Sequence, residues 1–335
     1  MTAATTATRP LARRPSPLTP RGTVWTALRL HGAALWIWVA LVTVTAAGLL
    51  WAYGPGADAA RKEPYLLAPS CGTDTLCGDT TGHATLFYEA VVQLAAYSIA
   101  YLPYLVAAWA GATLVARELE SGTAALAWTQ SVTPARWLTA QLAVPAALIT
   151  AGTTVLVLLH RLMWTDGRDI HYQDWYETDA YRSNGTVAVA AALCALAVGA
   201  LAGMLIRRTL PALGLAVLVT VAVQTLGDFH REKLWPAVTV TGAAASNLPN
   251  SAQQLERGVV LTSGERIGNN VACAEYPMGA DLKKCMSEHG ISDIWATYHP
   301  ASHFWPLQLT ETALLLTLTA LAVLLSFRVL KRRTA

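Results

Sequence analysis

The chain of 335 residues is 54% hydrophobic and only 13% charged, with a formal net charge of +3. Soluble domains hold about 25% charged residues. Here the apolar residues gather in long charge-free runs, which excludes a hydrophobic soluble enzyme. A helix crossing roughly 30 Å of hydrocarbon needs about 20 apolar residues, and six stretches meet or approach that length, so an all-α polytopic fold with six transmembrane helices is expected.

Residues 1–17 carry Arg9, Arg13 and Arg14 among Thr and Pro. They lack the apolar segment of a cleavable signal and are expected to form a disordered basic arm. Residues 18–30 can form an amphipathic interface helix, with Val24, Trp25, Leu28 and Leu30 toward lipid and Arg21 and Arg29 reaching the headgroups. The first span, 33–53, is bracketed by Trp36, Trp38, Trp51 and Tyr53 as interfacial anchors.

The second span, 88–114, begins near Glu89 and places Gln93, Tyr97, Tyr101 and Tyr104 at spacings of three and four, hence on one face. They either line a substrate path or pack against neighbouring helices. Pro103, and Pro145 in the third span (138–162), are candidate kinks. The fourth span, 187–206, carries Ala195, Gly199, Ala202 and Gly203 as a small-residue face for close packing. The fifth is 210–227. The sixth, 306–327, contains Glu311, for which His160 and Arg161 are candidate partners. A carboxylate at such depth must face protein, water or headgroups, and Glu89 and Glu311 are candidates for binding a cationic substrate or relaying protons.

Lys and Arg in short flanks mark the cytoplasmic side. Arg9 to Arg29 precede the first span, Arg207 and Arg208 link the fourth and fifth, and Arg328, Lys331, Arg332 and Arg333 lie in the tail 328–335. A multi-pass cell-membrane protein with both termini cytoplasmic follows. The connections 54–87, 163–186 and 228–303 then lie outside. Four of the five cysteines fall there: Cys71, Cys77, Cys273 and Cys285. They allow three pairings; proximity favours Cys71–Cys77 and Cys273–Cys285. The segment 228–303 is too long for a plain loop and is expected to build a small extracellular cap, with a short surface helix at 229–236 and an aromatic edge at 291–305. The single transmembrane domain then runs over 18–327.

The inner connection, 115–137, is the most informative. Arg117, Glu118 and Glu120 continue the second helix into water, and Gly122 can stop it. Ser121 or Thr123 can cap a short helix through Gln130, and Thr133 with Pro134 can start the third span. The resulting projection offers an exposed indole, Trp128, and two carboxylates for docking a soluble partner. The scattered histidines form no metal-binding pattern.

The segments 117–123, 126–133 and 136–137 resemble the inner-loop signature of the type-2 ABC exporter permeases of high-GC Gram-positive bacteria. The segment 205–212 resembles that group's link between helices four and five, and 298–308 with Glu311 its entry to helix six, although His303 stands where Arg is expected. The resemblance covers roughly 20–333. It implies a homodimer, or a dimer of related permeases, over two cytoplasmic ATP-binding subunits that hold ATP and Mg2+. This chain then binds no cofactor and is no enzyme. The inner loop is the implied coupling helix, with Arg117, Glu118, Glu120, Gly122, Trp128, Gln130 and Arg136 as contact residues. Membrane lipid is an expected partner and nucleic acid is not.

No phosphate-binding Gly-x-x-x-x-Gly-Lys loop, His-Glu-x-x-His helix or Gly-x-Ser-x-Gly elbow occurs in the chain. The expected function is export of a hydrophobic, drug-like, peptide or lipid-like substrate. The alternatives are a stand-alone secondary transporter and a membrane sensor or immunity component for an antimicrobial peptide.

Overall fold

A computed structural model describes residues 29, 31–62, 82–129, 132–171, 173–268, 273 and 280–334. The basic arm 1–17, the interface helix 18–30 apart from Arg29, the Cys71–Cys77 pair and Gln130 lie outside the described residues. Five helices are long and apolar enough to cross a membrane, and six when one bent pair counts as a single span.

Helix α1 (Gly32–Trp51) passes through a π turn, Ala52–Gly56, into α2 (Ala57–Lys62). Pro55 sits in that turn; it has no N–H to donate, so a wider turn costs little there. The second span is the bent pair. Helix α3 (His83–Ala100) meets α4 (Leu102–Trp109) at Tyr101 with a 41° bend. Pro103 lies in the first turn of α4, where its missing N–H goes unneeded. Helix α4 continues through a second π turn, Ala110–Leu114, into α5 (Ala116–Glu120), and the short α6 (Thr123–Thr129) follows.

The third span, α7 (Pro134–Asp166), runs unbroken past Pro145. After α8 (Thr178–Ser183) come α9 (Thr186–Ile206) and α10 (Thr209–His230), the fourth and fifth spans. The chain then leaves the bundle and returns in the last helix, Phe304–Thr334. That helix runs past Phe327 almost to the chain's last residue. Arg333 donates to the Met204 and Leu205 carbonyls at 2.5 and 3.4 Å. The expected tail is therefore a helix end that caps α9, satisfying carbonyls left open by its last turn.

Helix α9 is the centre of the bundle: 67% of its apolar window is buried, against 11% for α1. Its glycines explain why. A Cβ on Gly199 would sit 2.6 Å from the Ala110 Cβ, and one on Gly203 would sit 2.9 Å from the Ala116 backbone nitrogen. The small-residue face thus admits the second π turn against the α9 backbone, as dispersion-driven packing between spans requires. Helix α1 packs on α7 and α3 and turns Trp36 and Ile37 outward.

The all-α expectation holds for the membrane-spanning part and not for 228–303. Helix α10 ends in a 3-10 turn, Arg231–Lys233, in place of the surface helix expected at 229–236. A four-stranded antiparallel sheet follows, ordered β1-β4-β2-β3, from β1 (Val238–Thr241), β2 (Gln253–Leu261), β3 (Arg266–Gly268) and β4 (Ile291–His299). Two short helices, α11 (Ala243–Ser246) and α12 (Ala280–Glu288), decorate it, and the last span becomes α13. The aromatic edge is strand β4, with Trp295 and Ala296 buried. Cys273 and Cys285 form a disulfide, with Cα atoms 5.9 Å apart, beside Val259 and Ile291. Cys194 is free and buried in α9.

Candidate functional site

At the end of the bundle opposite the sheet, α5, α6 and the start of α7 form a compact knob. Gly122 takes φ +75, a left-handed turn that a side chain would strain, and separates α5 from α6. The Gly122 carbonyl opens α6 by accepting from Ala125 and Leu126. Ser121 and Thr123 do not cap α6; their hydroxyls turn back to the Arg117 and Glu118 carbonyls, at 2.8 and 3.3 Å. Thr133 does cap α7, accepting from the Arg136 backbone N–H at 3.3 Å.

Glu118 departs from its expected place in water: it is only 8% exposed. Its carboxylate accepts from the Trp137 indole at 2.8 Å and the Gln141 amide at 2.5 Å, both on α7. Gln141 in turn accepts from His31, before α1, at 3.2 Å. A buried carboxylate is tolerable only when donors replace its water, and α7 supplies two.

Glu120 is exposed and accepts from the Thr209 backbone N–H at 2.8 Å and hydroxyl at 2.5 Å. It thereby caps α10, an acid at a helix N-terminus. Trp128, expected to be an exposed indole, is half-buried and meets Trp137 edge to face with centroids 5.7 Å apart. The outward surface of α6 is Ala125, Leu126 and Thr129, with Leu126 63% exposed. Arg117 and Arg136 are exposed on the flanks.

The knob is therefore joined to α7 through Glu118 and Trp128, to α10 through Glu120, and to the start of α1 through Gln141. Trp137, Gln141, Thr209 and Leu126 were not singled out from the sequence as contact residues. Gln141 carried a signal: a lone amide in an apolar span, one helical turn beyond Trp137.

The other candidate residues do not gather in one place. Glu89 is half-buried near the start of α3. Gln93 donates to Asp179 at 3.2 Å and accepts from Gln173. Tyr97 and Tyr101 lie with ring centroids 5.7 Å apart and planes tilted by 59° on the outward face of the bend, 41% and 49% exposed. Glu311 is buried and pairs with Arg231 at 3.5 Å, not with His160 or Arg161. His160 bonds Asn184 at 2.8 Å instead, and Arg161 lies over Phe304 and Trp305.

Arg231 also reaches Asp228 at 2.5 Å, and Arg182 reaches the same carboxylate at 2.7 Å. Two arginines and two carboxylates thus neutralise one another at the sheet end. Cys273, Cys285 and His289 bring potential metal ligands together, but the two thiols are joined as a disulfide.

An apolar cleft of about 250 Å³ opens sideways between α1, α4 and α7, past Trp38, Trp109 and Pro145. A family described as ABC-2 membrane transporter related matches residues 33–231, more than half of the chain. No curated protein and no solved structure matches.

Proposed function

The chain belongs to the ABC-2 membrane-transporter-related family, whose members are transport subunits rather than catalytic enzymes, and on that premise we propose that it is the permease of an ATP-driven exporter. Its ATPase is a separate cytoplasmic protein, two copies of which dock beneath two copies of this chain. Both termini and the α6 knob face the cytoplasm, and the sheet faces outward.

The observation that carries this is the wiring of α6. A seven-residue helix offers Ala125, Leu126 and Thr129 to a partner, while its roots bond to α7 and α10. Force applied to that helix reaches two spans directly and a third through Gln141 and His31. Closure of the ATPases on ATP would tilt these spans and release the cargo outward. Coupling of this kind is reciprocal for the binding equilibria: if the loaded permease favours closed ATPases, ATPase closure must favour the loaded permease.

The charge distribution favours this over a secondary transporter. An ion-coupled carrier holds its substrate and coupling ion near mid-membrane, whereas the charged groups Arg182, Asp228, Arg231 and Glu311 pair with one another at the sheet end. The apolar cleft between α1, α4 and α7 suits a hydrophobic or lipid-like cargo.

The test is copurification. In mild detergent the chain should bring down an ATP-binding protein. Leu126→Asp should lose it while keeping the fold, because Leu126 is exposed. Cargo movement in vesicles that lack any ATP-binding protein would overturn the reading in favour of a secondary carrier.

A further inference from the structure

A second cavity, of about 610 Å³, lies at the sheet end where α7 and α13 emerge from the bundle. Its walls come from the end of α7, Arg168, His171 and 173–175 beyond it, the loop at Asn250 and Ser251, and the first turn of α13. The Trp175 indole donates to the Ser251 carbonyl at 2.7 Å, closing the cavity between bundle and sheet.

Two guanidiniums line it. Arg161 lies 4.6 Å over the Trp305 ring and donates to the Asn184 carbonyl at 3.2 Å; Arg168 lies 4.6 Å over Trp164. Neither has a carboxylate partner among the described residues. The one acid in the lining, Asp174, already accepts from the Tyr176 hydroxyl at 2.7 Å.

Four buried polar atoms of the lining residues have no partner among the described residues: Trp164 Nε1, Asn184 Nδ2, His171 Nδ1 and Gln173 Oε1. Asn184 and His171 are only 2% and 7% exposed. Buried polar groups are nearly always satisfied, so each such orphan calls for a ligand or water. They divide by chemistry. Trp164 Nε1 and Asn184 Nδ2 are donors. His171 donates from Nε2 to the Trp164 carbonyl at 2.9 Å, which leaves Nδ1 of the neutral ring as an acceptor. Gln173 Oε1 is a second acceptor.

Two cations with two orphan donors match an oxyanion, and forked guanidiniums favour phosphate. Hydroxyls on the same ligand would satisfy the two orphan acceptors. The level in the membrane agrees: Leu162 and Leu309 are exposed within one turn of Arg161 and Trp305, so the apolar zone ends here. Tryptophans concentrate at that headgroup depth.

We propose that this cavity binds a polyol phosphate, with Arg161 and Arg168 on the phosphate and His171 and Gln173 receiving its hydroxyls. The same chemistry occurs in a glycerol-phosphate lipid headgroup and in a free sugar or glycerol phosphate. The site does not depend on the ATPase, so it can fail while the exporter assignment stands, and the reverse.

The test uses the full chain purified in detergent. Tryptophan fluorescence is titrated with short-chain phosphatidylglycerol, with glycerol 3-phosphate, and with short-chain phosphatidylcholine, whose headgroup offers no hydroxyl. The wild type should respond saturably to the first. Arg168→Gln, at an exposed side chain, should weaken binding by about tenfold, and Gln173→Ala should do so less. Arg168→Lys, which keeps charge but loses the fork, should fall between.

Competition by glycerol 3-phosphate supports a water-soluble ligand. Its failure to compete, with the lipid still bound, supports a headgroup. Equal affinity for phosphatidylcholine, or no change in Arg168→Gln with unchanged circular dichroism, overturns the proposal.

Discussion

The two ends of the bundle are held by opposite means. At the sheet end, charges cancel in pairs: Arg182 and Arg231 share Asp228, and Arg231 also holds Glu311. A disulfide and a four-stranded sheet reinforce that end. At the Trp128 end a single buried carboxylate, Glu118, is held by neutral donors, and Glu120 is exposed. Breaking a compensated buried pair strands a charge, whereas an exposed acid such as Glu120 can find water. The difference teaches that buried ion pairing is concentrated away from the knob, which is held by a few hydrogen bonds to neighbouring spans.

The largest expected effect tests the rigid end. Arg231→Met leaves Glu311 buried without its partner and should cost about 3–5 kcal/mol, read as a large fall in detergent Tm. The double variant Arg231→Met with Glu311→Leu should recover most of the loss. No recovery would mean that packing against Tyr181, over which Arg231 lies at 4.0 Å, matters more than charge.

Cys285→Ser should cost about 2–4 kcal/mol, confined to the sheet. Faster proteolysis between β3 and α12 with the bundle intact is the expected pattern. If the whole bundle melted early, sheet and spans would form one cooperative unit.

At the knob, Glu118→Gln places an amide against two donors and should cost about 1–2 kcal/mol. The fold should survive, while cargo movement falls relative to ATP hydrolysis. Parallel loss of both would make Glu118 a folding residue and weaken the contrast between the ends.

The smallest effect is a pH dependence at the sheet end. Burial holds His171 below the ordinary histidine value, and Arg168 adds to this against the hydrogen bond to the Trp164 carbonyl. The unfolded chain therefore binds more protons as pH falls below about 6.5. Stability is full above that point and declines below it. His171→Gln should flatten this part of the Tm–pH curve, and an unchanged slope would remove His171 from the account.

Much of the architecture was legible because hydrocarbon thickness acts on composition. Each expected span coincides with a long apolar helix or, for the second, with a bent helix pair, and the bend beside Pro103 and the glycine face of α9 follow from local chemistry. The Cys273–Cys285 pairing was legible from proximity. The sheet was missed because 228–303 mixes short alternating strands with loops, and strand pairing is non-local: β4 lies beside β1, more than fifty residues earlier. The surroundings of Glu118, expected in water, and the partner of Glu311, expected to be His160 or Arg161, differ for a related reason, since a carboxylate's neighbours depend on helices distant in the chain.

The sequence by itself determined that the chain is a multi-pass membrane protein, where its long apolar helices lie, and that a short helix separates the second from the third. These are consequences of local apolarity, helix stops and caps, each decided within about twenty residues. Only the tertiary structure decided that Glu118 turns inward to Trp137 and Gln141, that Arg231 neutralises Glu311, and that Arg161 and Arg168 share a cavity with four orphan polar atoms. A polar group's partner is set by which helices pack together, and that packing is chosen by the whole bundle.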